Sequence, residues 1–581
     1  MSFAAIRSIA TSSLMATSVQ TALASSNIAN ADVDGYTRKL ATQVSTVTGG
    51  AGSGTAITGI TSKINKFLVQ AVVESLSDAS AAEVTATYSD RLQSMFGQTI
   101  GGDDSDNGTS LANTLASLET ALNNLTATPE GESLQSAAVD TFNWVATQLR
   151  EVSRGIQDLR AEADGQISSA ITEVNASLKE INDLNTEICA AAARGDSTAD
   201  LEDKRYTALQ SVAEKMNVTY FINSSGAMNI YSSTGQALLT STVHEISYVA
   251  AGSVTASTTF NPITVDGVDI TASFRSGEIS ALIEQRDTAL PAVQDELDVF
   301  ASTFIDAINA VHNTGTSLPA PDTLTGTETV DATDSFSATG IVRFAVVNDD
   351  GTLVDYSDID LSSFTTVGDA VAAIDAINGL SASIDADGHV VVTADATGTG
   401  VAVNEMTSSV GADGQGLSDY FGLNDLLVGT SAITIGVRSD LKATPGLLSS
   451  STLSSATSLT TGATVLTSGD ATVANALYAT LTTSQDFAAA GRMGASSTSF
   501  ASYAADVIAD VAAVAANAET AYSAAENVQT NLADSLASQS GVNIDEETAR
   551  LSELEDLYAA ASQILSTLSA MFDALLEAAR S

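Results

Sequence analysis

The sequence has little cysteine, histidine, proline, aromatic residue or positive charge. One cysteine, Cys189, excludes an intramolecular disulfide and a thiolate metal site of the CxxC kind. The three histidines, His244, His312 and His389, stand far apart and form no HExxH group. There is no GxSxG, no P-loop and no GxGxxG opening a helix. No enzyme, cofactor or metal site is therefore expected. Asp103–Gly108 partly matches a calcium loop, but its twelfth position is Thr114 instead of Glu, so a solvated turn is expected. Asp385, Asp387 and Gly388 read as a hairpin turn.

Basic residues number 22 against 70 acidic ones, a net charge of −48. That surface repels phosphate backbones and anionic bilayers, so no nucleic acid and no membrane surface is expected as a partner. No run of about 18 uninterrupted apolar residues occurs, so membrane insertion is not expected either. The opening MSFAAIRSIATSSLMATSVQ lacks a basic stretch followed by an apolar block, so no cleaved signal peptide is expected.

Hydrophobic residues make up 44%, enough to form cores, and 581 residues suggest several domains or one long discontinuous one. The apolar content is mostly Ala, Val, Leu and Ile, which suits closely packed helices. The single tryptophan, Trp144, reads as core, and Cys189 as a packed thiol.

Six prolines occur and none follows residue 445, which permits long helices at the C-terminal end. Helical 3-4 spacing runs through Ile167, Ile171, Val174, Leu178, Ile181, Asn185 and Ile188. It recurs at Leu290, Val293, Leu297, Phe300 and Phe304, and at Val511, Val514, Ala518, Ala521, Ala525, Val528 and Leu532. The most regular stripe is Leu551, Leu554, Tyr558, Ala561, Leu565, Leu568, Phe572 and Leu575, the pattern of a coiled-coil seam. A terminal helix has no further chain to cover it, so this face is expected to meet the other terminus or a neighbouring subunit.

The middle of the chain alternates like strands. Asn217–Asn223 and Met228–Tyr231 are separated by turn residues, and Val342–Val347 runs into the hairpin-like Asn348–Gly351. Val367–Leu380 has helical spacing between strand signals. Thr314–Thr329 reads as the linker into this region and 449–468 as its exit. The fold class expected is multidomain α+β: paired, coiled-coil-like terminal helices, a helical-bundle rod and inserted β-rich domains.

Three stretches carry a resemblance. The first is Ala24–Asn30, with Asn27 and Asn30, followed by Asp32–Arg38, which contains Gly35, Tyr36, Thr37 and Arg38. The second is Leu201–Arg205, running on to Val218. The third is Ser540, Gly541, Val542, Asn543, Ile544, Asp545, Glu546 and Glu547 ahead of the terminal seam. Together they resemble the NNIAN-, GYTR-, LLDQRD- and SGVNLDEE-like elements of the flagellar hook-associated protein 1 family, within the flagellar axial proteins. Asp32 departs from the family's usual Asn, and 325–450 matches nothing expected of it.

Physical roles suit these residues without the family. Gly35 fits a sharp turn. Asn27 and Asn30 fit helix capping or register, and Asp545, Glu546 and Glu547 fit the positive end of a helix dipole.

The resemblance implies a structural adaptor joining the flagellar hook to the filament, required for filament assembly and swimming. It implies self-association in a ring, contact with hook protein and with a second hook-associated junction protein, and export through the flagellar type III apparatus. It also implies an export chaperone on the C-terminal helix, with the face 551–575 as its target. The domains implied are 1–60, an axial helix and turn paired with 541–581; a rod from 61–215, 276–318 and 455–540; a small β-rich insert, 216–275; and a larger variable one, 325–450. The alternatives are another axial protein, such as hook protein or flagellin, or a secreted adhesin acting through 325–450.

Overall fold

The structure, a computed structural model, describes residues 3–33, 35–48, 50–97 and 110–580. The calcium-like stretch Asp103–Gly108 lies outside them. The chain divides into two compact units, Met1–Tyr88 with Ala161–Arg286 and Ala516–Ser581, and Ser89–Arg160 with Asp287–Ala515.

The first unit opens with helix α1 (Phe3–Ala29) and a hairpin of β1 (Lys39–Thr48) and β2 (Ala51–Ser62). The sequence reading placed only a helix and turn there. The strands are rich in Thr, Ser and Gly, so their alternation is hard to see. Helix α2 (Lys66–Met95) follows; after α3 (Leu111–Ala127), which belongs to the second unit, come α4 (Glu132–Arg194), divided between the units after Arg160, and α5 (Ala199–Lys215). Antiparallel sheets β3-β4-β5 (Val218–Ile222, Met228–Ser232, Ala237–Leu239) and β6-β7-β8 (Ile246–Ser247, Thr264–Val265, Val268–Asp269) come next.

The whole stripe from Ile167 to Ile188 on α4 is buried, including Asn185. The asparagines of α4 explain how a helix holds a sheet. Asn185 donates to Met228 O at 2.9 Å and accepts from Met228 N at 2.8 Å. Asn175 does the same with Ile246, at 2.8 and 2.9 Å. A side-chain amide has the donor–acceptor pair of a peptide, so each one mimics a strand partner. Buried Arg205 adds bonds to Asn185 Oδ1 and Gly226 O. Nearby, Arg286 sits in a π-helical turn, Gln285–Ala289, 2.8 Å from buried Asp164 and stacked 4.0 Å from Phe260. Tyr248 also bonds Asp164, and burial pushes its hydroxyl well above its usual pKa.

In the second unit the helix Leu290–His312 carries Phe300 and Phe304 into a cluster with Phe142, Phe487, Phe500 and Tyr503. Trp144 is 61% exposed and is not core. The inward positions of α4 here are Phe142, Val145, Leu149 and Val152, and residue 144 is out of step with them. Cys189, in the first unit, is only half-buried, with Sγ 3.2 Å from Ser225 O.

The β-rich part of the second unit starts earlier than the linker reading, with β9 (Thr323–Thr329) paired to a later strand. After it come β10 (Ala338–Thr339), β11 (Ile341–Asn348), β12 (Leu353–Asp360), β13 (Leu380–Ile384), β14 (His389–Ala394), β15 (Thr399–Asn404) and β16 (Ser409–Val410). They form the sheets β12-β11-β15, β13-β14-β9 and β10-β16. Val342, Phe344, Val390 and Val401 fill the core with the helix Val367–Asp375. A Thr366–Asp369 capping box starts that helix. It ends at Asp375 with Ala376 as its C-cap, and Gly379, at φ +89°, then turns the chain into β13. The turn at Asp385–Gly388 joins β13 to β14.

The two helices Phe500–Ser540 and Ile544–Arg580 end the chain. By length and average composition alone, part of this stretch is long and apolar enough to cross a membrane. In Phe500–Ser540 the apolar residues are mostly alanine, whose single methyl yields little on transfer to hydrocarbon.

Candidate functional site

The terminal helix Ile544–Arg580 packs antiparallel on α1. Phe3, Ala4 and Arg7 line one cavity with Leu565, Leu568 and Phe572, while Gln20, Leu23, Ala24 and Asn27 lie with Glu547 and Arg550. Helix α1 buries Ala10, Ala16, Thr17 and Ala24. These small side chains let the backbones approach closely.

Of the eight seam residues, Leu554 and Ala561 are buried and Leu551, Leu565 and Leu568 are half-buried. Tyr558, Phe572 and Leu575 are exposed, at 48%, 56% and 53%. A second row at sevenfold spacing, Leu557, Ile564 and Met571, is about as exposed.

Most of the motif residues meet at one end of this pair. Asn27, only 1% exposed, uses both ends of its amide. Its Nδ2 donates to Lys39 O at 3.1 Å and to Glu547 Oε2 at 3.3 Å. Its Oδ1 accepts from Tyr36 Oη at 3.0 Å and from Lys39 N at 3.1 Å. Arg38 donates through Nε to Glu547 Oε1 at 2.6 Å and through Nη1 to Glu546 Oε2 at 3.1 Å. Its backbone N–H reaches Ser540 O at 2.8 Å. Glu546 and Glu547, read as dipole charges, are therefore ion-pair partners as well. Asp545 stays in the first turn of the helix.

Thr37 donates from its backbone and its hydroxyl to Asp203, at 2.9 and 2.7 Å, and Lys39 closes on the same carboxylate. Gly35 turns the chain at φ +75°, and a Cβ there would lie 2.6 Å from Thr207 Oγ1. Tyr36 is half-buried. Burial raises its pKa above the ordinary phenol value, and Asp200, Asp203 and Glu547 raise it further against the Ser26 hydrogen bond.

Gly541 stands between the two long helices, where a Cβ would lie 2.4 Å from Ala537 O. Asn543 then caps the last helix, its Oδ1 accepting from Glu546 N at 3.1 Å. Asn30 stands apart from this cluster: it is half-buried and its Nδ2 bonds only within its own turn, to Ser26. Val542 lines a cleft of about 450 Å³ with Val33, Tyr36, Ile64, Tyr206 and Leu536.

Sequence reasoning named Gly35, Tyr36, Thr37 and Arg38 but left out Lys39 and Asp203. The signal available was position: Lys39 follows the first motif directly, and Asp203 lies within Leu201–Arg205. Among the described residues, no group of three or more His, Cys, Asp or Glu is placed to hold a metal. The arrangement can lock two distant segments together and present apolar side chains to a neighbour.

Known proteins share parts of this sequence and its fold. A family model described as the flagellar hook-associated protein FlgK helical domain matches residues 104–326. One for the flagella basal body rod protein matches residues 8–37. Flagellar hook-associated protein 1 of Salmonella typhimurium is 23% identical over 574 residues, covering 95% of this chain and 96% of that protein. The Escherichia coli K12 protein of the same name is 23% identical over 572 residues, with the same coverage. That of Bacillus subtilis is 22% identical over 326 residues, covering 50% of this chain and 63% of that protein. The solved flagellar hook junction protein FlgK from Burkholderia pseudomallei shares the fold. Its TM-score is 0.50 at 13% identity, covering 80% of this chain and 99% of that one. The chain is similar in sequence and fold to proteins of the flagellar hook-associated protein 1 family, structural components of the bacterial flagellum.

Proposed function

We propose that the chain is the adaptor that joins the hook to the filament, and that filament assembly and swimming depend on it. The observation that carries this reading is the uncovered apolar surface of the paired termini. Phe572, Leu575, Leu557, Ile564 and Met571 stay exposed after α1 has packed. A continuous apolar row on a chain of net charge −48 is costly to leave in water, and neighbouring subunits would cover it. In this reading copies form a ring, with hook protein on one side and the second hook-associated junction protein on the other. The chain leaves through the flagellar export apparatus with its N-terminus uncleaved, and an export chaperone shields the face 551–575 beforehand. The termini, 1–60 and 541–581, are the axial part. Residues 61–215, 276–318 and 455–540 form the rod, and 216–275 and 325–450 are the inserts.

Electron microscopy of cells lacking the gene, with flagellin assayed in the medium, tests the reading. Bare hooks, no filaments and free flagellin outside are expected. Intact filaments would reject it and favour an adhesin role for 325–450.

A further inference from the structure

Phe67, at the start of α2, is 87% exposed, the highest value among the large hydrophobic residues described. Lys63 and Lys66 flank it, both exposed and neither in an ion pair. Two unpaired lysines around a bare aromatic ring are unusual in a chain with 22 basic and 70 acidic residues. A few residues away in sequence, Ile64, Val69 and Val72 help line the 450 Å³ cleft. Phe67 is not among its lining residues.

The cleft has the opposite character. Its rim carries Val33, 54% exposed, and Asp32, an exposed carboxylate with no ion pair. Ser540, 2% exposed, lines it with an Oγ that has no hydrogen-bond partner. The exposed Val33 and the unpaired Asp32 leave the mouth of the cleft open to an occupant, while Val69, Val72 and the Ser540 Oγ are already buried in the single chain.

We propose that the occupant is the Lys63–Phe67 segment of a second copy of this chain, with Phe67 seated in the cleft and Lys63 and Lys66 against Asp32. This rests on the proposed ring and names its contact. Charge complementarity favours a second copy over another protein, because the chain carries both halves. A projection and a cleft on the same chain make a head-to-tail contact, which repeats around a ring if the rotation closes. A buried aromatic anchor supplies much of the energy at such contacts.

The test uses full-length chains in a Cys189→Ala background. A Phe67→Cys copy and a Val542→Cys copy, each with its own epitope tag, are coexpressed in cells lacking the native gene. Their flagella are then treated with a short bismaleimide. The expected product is a crosslinked species carrying both tags, absent when either variant is expressed alone. Phe67→Asp is expected to be exported into the medium but lost from the hook tip, Phe67→Leu to restore assembly, and Lys66→Glu to be rescued by Asp32→Lys. A 67–67 product, or a product joined to another polypeptide, overturns the contact. Phe67→Asp cells with parental filaments overturn it too, as does the lack of a two-tag product in flagella that carry both cysteine variants. If the deletion strain has bare hooks while Phe67→Asp assembles normally, only this contact fails. If the deletion strain keeps its filaments, the adaptor reading itself fails.

Discussion

Asn27 and Glu547 are 520 residues apart in sequence, yet the amide of one donates to the carboxylate of the other at 3.3 Å in a buried setting. Arg38 holds the same carboxylate from the other side at 2.6 Å. The end of α1 and the start of the terminal helix are thus fixed in register by one charged cluster, and the apolar contacts follow from it.

Replacing Arg38 by Ala leaves Glu547, 1% exposed, without its cation. Breaking a buried pair from one side costs roughly 3–5 kcal/mol. Denaturant unfolding followed by far-UV circular dichroism should show a loss toward the lower end, since Arg38 keeps some solvent contact. Glu547→Gln keeps its shape and removes the charge, so it should cost less in an Arg38→Ala background than in the parent.

Gly35→Ala places a Cβ 2.6 Å from Thr207 Oγ1 in a backbone region that side chains avoid. A loss of about 1–3 kcal/mol is expected by thermal unfolding. Adding Thr207→Ala should relieve the contact but not the backbone cost, so recovery should be partial. Full recovery would mean that the φ value of this turn is not costly.

Leu554 and Phe572 belong to one stripe but should behave differently. Leu554→Ala removes a buried side chain and should cost about 2–3 kcal/mol. Phe572→Ala removes an exposed one and should leave the stability of the isolated chain nearly unchanged, while lowering recovery in flagella. Leu565, Leu568 and Phe572 all changed to Asp should abolish both chaperone binding and assembly. Persistence of both would show that the seam is not the interface.

His312 is fully buried. Its Nδ1 lies 2.5 Å from Asn424 O, and Nε2 accepts from Ser449 N at 2.9 Å. That pairing requires the neutral ring, with the proton on Nδ1. Burial pushes its pKa down from 6.5 to about 4. Between those values the unfolded chain binds a proton that the folded chain does not. The stabilising effect is therefore complete above pH 6.5 and is lost as pH falls through 4, by roughly 3 kcal/mol in all. Denaturant unfolding of the parent and of His312→Asn from pH 7 to 4 should differ by this slope, because Asp419, whose pKa burial raises to about 6, adds the opposite slope to both.

The helical character of α4 and of the chain's end was legible because proline is absent and the 3-4 spacing is continuous. The strands of the large insert were legible because Val-rich alternation and Asp–Gly turns mark them. Hairpin β1–β2 was not legible, since Thr, Ser and Gly at its positions give no alternation of apolar and polar residues. The helix Val367–Asp375 was read too long because Ile377 and Leu380 continue its apolar spacing after the helical hydrogen bonds have ended.

Within the candidate site, the sequence alone determined the composition: an acidic, histidine-poor, cysteine-poor chain with a regular apolar stripe at its end. Only the tertiary structure decided which stripe residues α1 covers, that Trp144 faces water, and that Asn185 serves a strand. It alone brought Asn27, Arg38, Asp203 and Glu547 together. Periodicity is a local property of a helix, whereas a pairing across 520 residues depends on how the chain returns to itself, and no local pattern encodes that.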